Sequence, residues 1–119
     1  MSTNRIADVR TMIATATKRF DEFKARLHNA IDDGTLRHFN MRRFHTDAVE
    51  LELLRMIVKA YNHGMDVTGD DYDLAWEHAV ESCTHHILST VAGREDESTD
   101  YAVGARVAAL SILRILQDA

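Results

Sequence analysis

Residues 3–34, TNRIADVRTMIATATKRFDEFKARLHNAIDDG, decide the fold class. Ile6, Val9, Ile13, Ala16, Phe20, Phe23, Leu27 and Ala30 recur at alternating spacings of three and four, which is the seam of a helix that buries one face. Ser2 or Thr3 stands where a capping side chain belongs. Gly34 follows the seam, and glycine closes a helix in the left-handed conformation at no steric cost. The first helix is therefore expected over about residues 3–32. At 1.5 Å per residue it is about 45 Å long, more than any later helix covers. Its excess must project into solvent or meet another subunit.

The same punctuation recurs along the chain. There is no proline, and Gly34, Gly64, Gly69 and Gly93 fall between runs of helical period. Treated as terminators, these glycines predict four helices at about residues 3–32, 47–62, 70–92 and 99–117. Asp47 and Glu50 have the spacing of a capping box, which predicts a fresh start at Asp47, with Asn40 as an earlier alternative. His63-Gly64 is expected to end that second helix. Asp70, Asp71 and Asp73 put negative charge at the start of the third, where the helix dipole favours it. Trp76, Val80, Cys83, Ile87 and Val91 give the third helix one apolar stripe, and Gly93 is expected to close it. Ser98 or Thr99 caps the fourth.

The second and fourth helices are apolar over most of their circumference. Phe44, Val49, Leu51, Leu53, Leu54, Met56, Ile57, Val58, Ala60 and Tyr61 leave only a strip with Glu52, Arg55 and Lys59 polar. In the fourth helix Val103, Val107, Leu110, Ile112, Leu113, Ile115 and Leu116 point in nearly all directions. Gly104 with Ala108, and Ala105 with Ala109, are small residues one turn apart that let another helix approach closely. A helix apolar on most sides must be covered on more than one. The expectation is an all-α fold, four main helices in a bundle or helical array, forming one domain over residues 1–119. The surplus apolar surface predicts a homodimer through the second and fourth helices.

Composition fits one such domain: 119 residues, 45% apolar and 28% charged, suffice for a sizeable core. Apolar runs such as Val107–Leu110 and Met56–Val58 are too short to cross a bilayer. Met1–Arg10 carries charges where a signal peptide has its apolar centre, and Cys83 has no second cysteine to pair with. A cytoplasmic protein with no membrane partner is expected. The net charge of −5 is unevenly spread, with nine Lys/Arg against five Asp/Glu in residues 1–45 and five against fourteen in residues 46–119. That split suits complementary helix faces as well as a basic binding face.

Candidate chemistry is sparse. His78, Glu81 and His85 share one stripe of the third helix and are residue types that ligate zinc or iron. That stripe lies opposite Trp76, Cys83 and Ile87, so it is expected to face water rather than a core. The inward Glu-x-x-His of carboxylate-bridged di-iron bundles does not occur. Cys83 sits on the apolar stripe, which predicts a buried, inert thiol. No glycine-rich phosphate loop or Gly-x-Ser-x-Gly elbow is present. No enzyme activity and no cofactor are expected.

The segment from Arg37 to His45 is the strongest functional candidate, with three arginines, two phenylalanines and two histidines in nine residues. Arginine and aromatic rings together form the energetic centres of protein interfaces and also grip phosphates and bases. The expected function is a small non-enzymatic regulator or adaptor that binds another protein. One form is an inhibitor occluding the helical interface of a transcription factor or other protein. Arg37, Phe39, Arg42, Arg43 and Phe44 are the expected contact residues, with Leu51, Leu54, Val58 and Tyr61 as association surface. The alternatives are a nucleic-acid-binding module using the basic N-terminal region, and a helical metal-binding protein. The acidic opening of the third helix argues against a helix-turn-helix reader.

Overall fold

Capping side chains open the second, third and fourth helices of this protein, and left-handed glycines close the first and second. The computed structural model describes residues 2–91 and 98–117, with side chains from Arg5 onward. Four α-helices follow one another: α1 (Ser2–Asp32), α2 (Met41–Thr68), α3 (Tyr72–Val91) and α4 (Asp100–Gln117). A single 3-10 turn, Leu36–His38, lies between α1 and α2, and there is no strand among the described residues. None of these helices is long and apolar enough to cross a membrane.

Gly34 ends α1 at φ +70°, and the Thr35 and Gly34 amides donate back to the carbonyls of Ala30 and Ile31 at 2.8 and 3.3 Å. This is a Schellman closure, and it satisfies carbonyls that the last turn leaves open. Asn40 caps α2, its side-chain oxygen accepting from the Arg43 amide at 3.0 Å. Gly69, at φ +67°, closes the other end. Asp71 accepts from the Leu74 amide at 3.1 Å to start α3. Thr99 accepts from the Ala102 amide at 3.1 Å to start α4, resolving the choice between Ser98 and Thr99. Gly93, expected to close the third helix, lies outside the described residues.

Two expected boundaries differ. Asp47 does not open a helix; it lies inside α2, nearly buried. Gly64 does not close one either, because α2 continues through it to Thr68. A Cβ at Gly64 would stand 2.9 Å from the Ala75 Cα of α3, so this glycine serves close packing between helices instead of termination.

The longer α2 is the centre of the fold and packs against α1, α3 and α4. Leu51, Leu54, Ile57 and Tyr61 are buried there among Ile6 and Val9 of α1, Trp76 and Ile87 of α3, and Ile112 and Leu116 of α4. Much of its wide apolar arc is thus covered within one chain, while Val49, Leu53, Met56, Val58 and Ala60 stay half-buried. Gly104 lets α4 approach similarly, since a Cβ would meet the Arg42 carbonyl oxygen at 2.7 Å and the Thr46 nitrogen at 2.9 Å. Successive helices alternate in direction, so α2 and α4 run parallel. The arrangement is asymmetric: α1 and α4 both pack on α2 and α3, while their own backbones stay apart and meet through side chains such as Arg5 on the Ile115 carbonyl.

Candidate protein-binding surface

The Arg37–His45 segment folds as the 3-10 turn, a capped entry and the first turn of α2, with its rings held by α1. All four phenylalanines of the chain meet here: Phe44 stands 5.3 Å from Phe20 and 6.3 Å from Phe23, and Phe39 lies 4.9 Å from Phe23. His45 extends the cluster, 5.6 Å from Phe44 and 5.3 Å from Tyr101 of α4. Phe39 and Phe44 are half-buried, which gives both a packing role.

The arginines of the segment are exposed, but two of them face acids of the same chain. Arg42 pairs with Asp100 at 2.9 Å, and Arg43 approaches Asp47 at 4.0 Å. Arg19 on α1 reaches the same Asp47 at 3.9 Å and Glu50 at 3.7 Å. Positive and negative groups therefore alternate over this end of the molecule. An incoming phosphate would compete with three carboxylates, which weakens the case for a nucleic-acid face. Arg37 donates from Nε to His38 at 3.3 Å and is exposed.

Of the expected association residues on α2, Leu51, Leu54 and Tyr61 are buried in the chain's own core, and Val58 is half-buried. Leu51, Leu54 and Tyr61 belong to the core that holds the bundle together. Exposed apolar side chains occur on every helix, among them Val67, Tyr72, Leu74 and Leu88, and α4 adds Tyr101, Val107 and Leu110. Val107 is 51% exposed and Leu110 63% exposed, one turn apart on the same side of the helix.

Beside this stripe, the gap between α1 and α4 forms two depressions. One, of about 360 Å³, is lined by Arg19, Arg43, Thr46, Asp47, Glu50 and Val107. The other, of about 90 Å³, is lined by Arg5, Asp8, Val9, Met12, Trp76 and Ile115, and here Arg5 donates to the Ile115 carbonyl at 3.3 Å. Sequence periodicity could not reveal this gap, because it depends on how far apart two helices distant in sequence are held.

Other titratable groups divide by burial. Cys83 is buried, and desolvation of the thiolate pushes its pKa up to about 11. Burial likewise raises the Tyr61 pKa. His78 is half-buried while Glu81 and His85 are exposed, and no group of three or more His, Cys, Asp or Glu among the described residues is placed to hold a metal ion. The ring nearest His78 is instead His63 of α2, at 5.5 Å.

Between α2, α3 and α4 lies a pocket of about 110 Å³, walled by Val49, Leu53 and Ile87 and by Ala102, Ala105 and Ala109. The alanines leave the space; in sequence Ala105 and Ala109 spoke only for close helix approach.

No family model matches this chain, and comparison with curated proteins and with solved structures found no match.

Proposed function

We propose that this protein is a small, non-enzymatic protein-binding module of the cytoplasm. In this reading it acts as a regulator or adaptor by occluding a helical surface of its partner. The observation that carries the reading is the exposed pair Val107 and Leu110 on α4, beside the gap that α1 and α4 leave open over α2. A helix presenting an apolar stripe next to a groove suits the helix-in-groove mode of recognition. The mixed charges of Arg19, Arg43 and Glu50 line that groove and suit a polar rim, which sets register and suppresses wrong partners. A second copy of the chain is one occupant of this surface, and a homodimer through α4 belongs to the same proposal.

Leu110→Glu tests it, because Leu110 is exposed and the substitution removes no core packing. Wild-type protein is used to capture partners from lysate of its source cell with and without nuclease, and its self-association is followed by sedimentation equilibrium. The expected result is a stoichiometric protein partner, or a dimer, that survives nuclease and is lost in Leu110→Glu. A nuclease-sensitive catch, or complexes unchanged by the substitution, would overturn the reading.

A further inference from the structure

The sequence places its histidine-rich stripe on one helix, but the closest pairing of imidazoles crosses between two. His63 near the end of α2 and His78 in the second turn of α3 have ring centroids 5.5 Å apart, with their planes inclined at 49°. We infer that His63 and His78 form a two-imidazole binding site for a divalent transition-metal cation of the zinc, nickel or copper class.

Three features support the assignment. Zinc–imidazole bonds are about 2.0–2.1 Å long, so two rings that share a tetrahedral ion have centroids roughly 5 Å apart. The observed separation of 5.5 Å is close to that value. Neutral imidazole is also the ligand type that these borderline-soft cations select over the hard cations magnesium and calcium.

The frame beneath the rings is fixed. His63 is followed by Gly64, whose missing Cβ allows contact with Ala75, and His78 stands one turn beyond Ala75. Helices locked by backbone contact hold a ligand pair in register better than a loop does. His63 is exposed and His78 half-buried, so an aqueous ion reaches both.

Two protein ligands do not make a closed structural site, which takes four. The remaining positions belong to solvent or to a donor on another molecule, so the ion exchanges readily. Because His63 and His78 lie on different helices, binding favours the folded chain, in which they are together, over the unfolded one.

The test uses the untagged full-length chain, titrated calorimetrically with nickel chloride and with zinc chloride, beside His63→Ala, His78→Ala and the control His85→Ala. Circular dichroism checks that each variant is folded. One ion per chain is expected at sub-millimolar metal, with a metal-dependent rise in melting temperature. Each of the first two substitutions should weaken binding by at least about tenfold and abolish the rise, since even indirect supports of a metal site are worth that much. His85→Ala should bind as wild type. No binding at millimolar metal, binding that survives His63→Ala or His78→Ala, or binding lost in His85→Ala would each overturn the assignment. None of these outcomes bears on the α4 surface.

Discussion

Gly64 on α2 faces Ala75 on α3 so closely that an added Cβ would lie 2.9 Å from the Ala75 Cα and 3.1 Å from its carbonyl oxygen. Both neighbours are backbone, so neither can swing aside. Alanine ordinarily improves a helix interior by about 1 kcal/mol over glycine. Overpacking a tight site costs about 1–3 kcal/mol, and here it acts on main chain. Gly64→Ala should therefore destabilise by about 1 kcal/mol, a fall of roughly 4 °C in melting temperature. Gly104→Ala should have the same sign and a larger size, since its Cβ would meet the Arg42 carbonyl oxygen at 2.7 Å. Thermal unfolding followed by circular dichroism measures both.

These two glycines also show what sequence reading resolves. Gly34 and Gly69 do lie at turns with positive φ, as glycine between helical runs predicts. Gly64 carries the same letter in a similar setting, yet it serves a helix crossing. A usable signal was present: Tyr61, Gly64, Met65 and Thr68 continue the three-and-four spacing past the expected end. The breadth of α2's apolar arc called for cover on more than one side, and α1, α3 and α4 supply much of it. That breadth could not show that the cover comes from the same chain, because coverage depends on three neighbours meeting one element. For the same reason Leu51, Leu54 and Tyr61 read as surface in sequence and are core in the fold. The gap beside Val107 was invisible, being set by how far apart the backbones of α1 and α4 stand over α2.

Asp47 is the buried carboxylate of the molecule's mixed-charge end, with Arg19 at 3.9 Å and Arg43 at 4.0 Å. One oxygen, Oδ2, accepts no hydrogen bond among the described residues. Both contacts are long and both arginines are well over a third exposed, so either arginine alone contributes less than about 1 kcal/mol. Removing both leaves a buried charge uncompensated, which costs more than the sum of the two. Arg19→Ala and Arg43→Ala should each be mild, and the double variant more than additive. Urea unfolding of the four proteins in the cycle gives the coupling energy.

Phe44 joins α1, α2 and the connecting turn through Phe20, Phe23 and Phe39. Full burial of such a ring would put its removal at about 3–5 kcal/mol; half-burial reduces this to about 2–3 kcal/mol. Phe44→Ala should also loosen the 3-10 turn, because Phe39 loses one of its two ring partners. Trypsin should then cut after the exposed Arg37 faster than in wild type, with the bundle otherwise folded. Equal cleavage rates would show that the turn is held by its capping bonds alone.

Cys83 ties stability to alkaline pH. Burial lifts its thiol from the ordinary value of 9.0 to about 11, so between those values the unfolded chain has released a proton that the folded chain retains. Fewer protons bound in the unfolded state means that unfolding becomes easier as pH rises. The favourable contribution is complete below about pH 9 and is lost progressively toward pH 11. Tyr61 is raised too, first by burial and next by the neighbouring Tyr72, and it steepens the loss above pH 10. In Cys83→Ala the packing loss lowers stability at every pH, but the slope between pH 9 and 11 should flatten. The same burial predicts that at pH 8 the thiol reacts with an aromatic disulfide reagent only as fast as the protein opens. Denaturant should accelerate that reaction in step with unfolding, whereas rapid labelling of the native chain would place Cys83 at the surface.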